Sequence, residues 1–100
     1  MYRMIHLWFI SQWKWDVPLE DVTVNERESA EFSCVLCVKN VKVVWKVKGQ
    51  EVEVSPKYAM YADGKNHKLV VSKCRPIDIG DISCAYGKIV TEAKLNVIGE

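Results

Sequence analysis

From Asp21 onward the apolar residues of this chain recur at every second position, and no window holds a helical spacing for three turns. Side chains that alternate between two faces bury one set only when the backbone is extended, so the chain reads as all-β. Val22 and Val24 mark a short first strand, and Asn25-Glu26-Arg27-Glu28-Ser29 supplies a polar turn. Ala30, Phe32, Cys34 and Leu36 turn one face of the next strand inward, and Val41, Val43, Trp45 and Val47 repeat the pattern. Lys42, Val44, Lys46 and Lys48 fall on the opposite face, where lysines stay in solvent and deter edge-to-edge pairing.

Turn chemistry then punctuates the chain. Gly49-Gln50 leads into a short strand, Glu51 to Val54, that Ser55-Pro56 ends, because proline has no N–H to give a ladder. Tyr58, Met60 and Ala62 run to Asp63-Gly64, a hairpin signal, after which Leu69 and Val71 point inward. Arg75 to Gly80 is a crossing loop. Ile82-Ser83-Cys84-Ala85-Tyr86 forms another strand, and Gly87-Lys88 turns into a last one with Ala93, Leu95 and Val97 on one face. Seven or more short strands at this spacing predict two stacked antiparallel sheets.

One hundred residues, about half of them apolar, close a single core. The composition shifts near Asp16-Val17-Pro18, so the sequence divides into an N-terminal extension, residues 1–16, and a folded body, residues 17–100. The apolar run Met4 to Ile10 is interrupted by His6 and lacks a small-x-small cleavage site, which argues against a secretory leader; it is also too short to span a bilayer. Trp8, Trp13 and Trp15 in this extension are costly to leave in water and are expected to cover an edge, meet a neighbour or self-associate.

A net charge of +1 creates no field that would gather nucleic acid or an acidic membrane. Cys34 and Cys37 have no matching second pair, and strand alternation sends their sulfurs to opposite faces, so zinc is not expected. Cys74 reads as a buried thiol near the crossing loop and Cys37 as a strand-end thiol. The two histidines, His6 and His67, lack partners for a catalytic triad, and His67 beside the hairpin reads as a solvated turn residue. No phosphate or calcium loop occurs. The sequence therefore predicts no enzyme, no cofactor, no metal and no small-molecule substrate.

Trp45 follows Cys34 by eleven positions and Cys84 follows Trp45 by thirty-nine, all three on predicted inward faces. An indole fills the gap between sheets packed about 10 Å apart, and small sulfurs beside it leave the room. With Leu69, Val71 and Ile82 these residues are the predicted structural core. Leu19 to Glu26, Glu28 to Cys34, Trp45 to Val52, Ser55-Pro56-Lys57-Tyr58, Asp63 to Val71 and Asp78 to Cys84 together resemble the intermediate-set (I-set) immunoglobulin domains of titin, obscurin and the myosin-binding proteins, over residues 17–98. Ile82 departs from that family, which usually carries a tyrosine two residues before its second core cysteine.

The resemblance implies an immunoglobulin-like β-sandwich with Greek-key connections, titin being the preferred relative. It implies a cytoplasmic, sarcomeric module that transmits force and binds adjacent immunoglobulin-like domains and other muscle proteins. Its mechanical seam would join Val22 and Val24 to Ala93, Leu95 and Val97. An alternative of another class is an extracellular adhesion or receptor domain with a Cys34–Cys84 disulfide.

Overall fold

Alternation translates into nine strands in the computed structural model, which describes residues 14–99. They are β1 (Trp15–Val17), β2 (Val22–Asn25), β3 (Ala30–Leu36), β4 (Val44–Val47), β5 (Gln50–Glu51), β6 (Tyr58–Asp63), β7 (Asn66–Val71), β8 (Gly80–Tyr86) and β9 (Ile89–Ile98). A 3-10 turn, Pro76–Asp78, lies between β7 and β8. One sheet runs β1-β3-β7-β6 and the other β2-β9-β8-β4-β5. The chain crosses between them after β1, β2, β3, β5 and β7, so no long loop is needed to close the sandwich.

Register keeps every apolar set on the inner side. In the first sheet Phe32 faces Leu69 and Ala30 faces Val71; in the second, Val47 faces Ile82 and Trp45 faces Cys84. Phe32, Leu69, Ile82 and Leu95 are almost wholly buried, and each contributes about 1.5–3 kcal/mol relative to exposure. The β6–β7 and β8–β9 hairpins turn at Gly64-Lys65 and Gly87-Lys88. Both glycines have φ +61°, a conformation a Cβ would strain.

Four features differ from the sequence reading. The ladder starts at Trp15, ahead of the expected boundary at Val17, because the Trp15 side chain packs against the core and pulls its backbone into register with Leu36. Val41 and Val43 precede the strand, which begins at Val44. The short strand after Gly49 is Gln50–Glu51, and the backbone leaves the ladder once Val52 N–H has bonded to Trp45 O (3.0 Å). The sheets are not wholly antiparallel: β2 runs parallel to β9, pairing Val22 with Leu95 and Val24 with Val97.

That parallel pairing follows from the path between β1 and β2. Leu19 is buried, and its N–H donates to the Thr91 hydroxyl at 3.0 Å, while Asp21 Oδ1 accepts the Lys94 N–H at 2.8 Å. The chain is thus moved from the first sheet to the second without reversing. Lys14, whose C=O accepts the Cys37 N–H, stands at one pole of the sandwich; Ile98, whose C=O accepts the Glu26 N–H, stands at the other.

Candidate functional site

The residues singled out by the sequence fall in two places in this sandwich: the centre around Trp45 and the seam between β2 and β9. Trp45 projects from β4, where the 2-residue period places it with Val47 on the inner face, and it is 3% exposed. Cys34 from β3 and Cys84 from β8 meet beside it as thiols joined by a sulfur hydrogen bond. That bond, burial and the neighbouring sulfur push the Cys84 thiol far above its ordinary value. A thiol so placed is a poor nucleophile and a good packing group. Ile82 fills the place of the family's tyrosine, fully buried between strands and offering no phenol to the backbone.

At the seam, Val22 and Val24 are half-buried and pack on the core, while Ala93, Leu95 and Val97 are buried. The Glu26 N–H donates to Ile98 O at 2.9 Å. Because N–H groups two residues apart point the same way along a strand, the Val24 N–H is aimed at β9 as well.

His67 overturns the sequence reading of a solvated turn residue. It is 2% exposed, facing inward on β7 in phase with Leu69 and Val71, and the Trp15 ring stands edge-on to it with centroids 6.3 Å apart. Burial holds its imidazole below the ordinary value. Trp15 Nε1 and His67 Nε2 are both buried with no hydrogen-bond partner among the described residues. Extending the Val71, Leu69 alternation one step back reaches His67, a signal that its place beside a hairpin had masked. His6, Trp8 and Trp13 lie outside the described residues.

Two buried polar groups had no motif to betray them. Thr91 holds Leu19, as above. Asp78 closes the 3-10 turn, its Oδ2 accepting from Arg75 N at 2.9 Å and from Lys57 Nζ at 2.7 Å. Burial works to raise its carboxyl, but Lys57, the Arg75 N–H and the charge of Lys48 outweigh that and hold it below the usual carboxylate range. Cys74 is buried, with its thiol reaching Val71 O at 3.4 Å and pushed up by burial. Cys37 is half-buried just past the end of β3, its sulfur accepting the Lys14 N–H at 3.2 Å. Among the described residues no cluster of three or more His, Cys, Asp or Glu could hold a metal ion.

Two crossed sheets of this order, with a tryptophan and two sulfurs between them, define an immunoglobulin-like sandwich. Residues 14–97 match the family model of the immunoglobulin I-set domain, and the chain belongs to that family. It is 34% identical over 80 residues to titin of Drosophila melanogaster, covering 80% of this chain and, to the nearest per cent, 0% of that protein. To fast-type myosin-binding protein C of Gallus gallus it is 36% identical over 83 residues, covering 80% of this chain and 7% of the relative. Its fold superposes on the crystal structure of the I9–I11 tandem from titin with TM-score 0.84 and 28% identity, covering 88% of this chain and 34% of the tandem. The chain therefore spans only a small part of these relatives.

Proposed function

We propose that this chain is a non-enzymatic, load-transmitting and protein-binding module of a titin-type array in the sarcomere of striated muscle. Adjacent immunoglobulin-like domains and other sarcomeric proteins are its partners. The observation that carries this reading is the parallel β2–β9 seam in a chain that enters at one pole and leaves at the other. Force applied at the two ends pulls β2 and β9 in opposite directions along their length. Their hydrogen bonds lie across that direction and have to give way nearly together. Resistance then resides in the height of the unfolding barrier rather than in equilibrium stability. Similarity to titin, to a myosin-binding protein and to a tandem of titin domains supports the array.

Single-molecule pulling tests it. Val24→Pro removes a donor aimed across the seam and should lower the unfolding force far more than Lys46→Ala on the exposed face of β4; equal effects of the two would sink the mechanism. A second reading, an extracellular domain with an inter-sheet disulfide, is favoured by one observation: Cys34 and Cys84 are both buried, on strands of opposite sheets, and interact as free thiols. Thiol titration of unreduced native protein separates the two. Four reactive thiols after denaturation fit the sarcomeric module, and two fit the extracellular one.

A further inference from the structure

Four basic side chains, Arg27, Lys57, Lys73 and Arg75, line a groove of ≈ 530 Å³ at the pole where β3 begins and β7 ends. The loops that carry them are fastened backbone to backbone: Arg27 N–H donates to Cys74 O at 2.7 Å, and Cys74 N–H donates to Glu28 O at 2.8 Å. Lys57 is held by Asp78 and by Lys73 O, and it forms the floor. Arg27, Lys73 and Arg75 are exposed and make no ion pair among the described residues. Of the nearby acids, Asp78 holds Lys57, and neither Glu26 nor Glu28 makes an ion pair with the four cations among the described residues. Glu28 Oε1 accepts the Asn25 N–H, and the Glu26 carboxylate lies beside Gly99. A chain of net charge +1 thus concentrates unpaired positive charge at one place.

Backbone conformation adds an independent observation. Arg27 has φ 78° and Lys73 has φ 49°, the left-handed region where glycine sits without strain and a long side chain does not. Both residues are long cations and both line this groove. Asn40 (φ 57°) and Lys48 (φ 52°) share this conformation outside the groove, so the strain accords with a used side chain at Arg27 and Lys73 while the clustered charge carries the assignment.

We propose that this groove binds an acidic stretch of a protein partner. The arginine forks suit carboxylates, and the aliphatic stems of the four side chains give apolar walls against which a peptide can lie. None of the four lining residues is aromatic, so the groove offers no platform for stacking bases. The inference goes beyond the load-bearing role and does not depend on it.

Fluorescence anisotropy of a labelled oligo-glutamate peptide, with oligo-glutamine as control, tests the assignment. Binding should appear at low salt for glutamate only and weaken several-fold between about 0.05 and about 0.3 M ionic strength. Arg27→Gly and Lys73→Gly should each weaken it about three-fold, and together about ten-fold. Both variants should unfold at the same temperature as the parent or higher, since each relieves strain; Lys46→Ala should change nothing. Binding that survives the double variant overturns the proposal, as does an equal response to oligo-glutamine. Displacement of the peptide by inorganic phosphate at comparable concentration overturns it in favour of a phosphate site.

Discussion

Two strands near the amino end are held in different ways. β1 has two registered pairs with β3, interrupted by a bulge between Trp15 and Val17, and its anchor is one side chain lodged edge-on against His67. β2 has four registered pairs with β9, and its side chains alternate between half-buried and exposed. One is fixed by its indole and the other by its backbone. A side-chain anchor opens when its packing or charge changes, whereas a backbone ladder yields only when several bonds break at once. The first strand is therefore where local opening should begin, and the second is where it should stop.

The comparison breaks first at Val24. Val24→Pro should cost about 3 kcal/mol in denaturant unfolding, as a proline inside a hydrogen-bonded element does, besides lowering the unfolding force. Loss of stability with an unchanged force would mean that the load runs elsewhere. Trp15→Ala should cost roughly 2 kcal/mol, less than a fully buried tryptophan because Trp15 is half-buried. Its signature is local: hydrogen exchange at Cys37, whose N–H bonds to Lys14 O, should accelerate, while exchange at Glu26 stays slow. Acceleration at both sites would make the two strands one cooperative unit.

Between the two strands, Thr91→Val removes the acceptor of the buried Leu19 N–H and should cost about 1–2 kcal/mol by thermal or urea unfolding. A smaller effect comes from pH. Since burial depresses the His67 pKa, its stabilising contribution is complete above the ordinary value of 6.5 and is lost as pH falls toward its folded value. The unfolding midpoint should therefore drop on acidification below about pH 6.5, and His67→Phe should flatten that slope. Asp78, held below its ordinary value of 3.8, acts only in more acid solution, so the two windows are distinct. A slope that persists in His67→Phe would assign the effect to another group. Smallest of all is Lys46→Ala, within about 0.5 kcal/mol in the same unfolding measurement.

The central part of the fold was legible because its signals are periodic. Phe32, Cys34, Trp45, Val47, Leu69, Val71, Ile82 and Cys84 alternate in phase with polar partners, and a period of two leaves no other face for them. The ends were not. His67 obeys the same period, yet a titratable residue next to a turn carries the opposite expectation. Trp15 sits in a three-residue strand, too short for any pattern to emerge. The parallel sense of β2 against β9 depends on where Leu19 is caught by Thr91, a contact between residues 72 positions apart that neither element announces. Asp78 was hidden for a related reason: its local bond to the Arg75 N–H lies within one short turn, but the Lys57 ammonium that makes its burial tolerable comes from a loop 21 positions away.

The placement of Lys14 and Ile98 at opposite poles has a consequence for distance. Units joined through such points stack end to end without doubling back, so a folded string of them has a fixed pitch. Opening one unit would pay out about 3.4 Å for every residue freed, on the order of 250 Å in all once the folded height is subtracted. A single yielding link would thus lengthen the string by several times its own folded size.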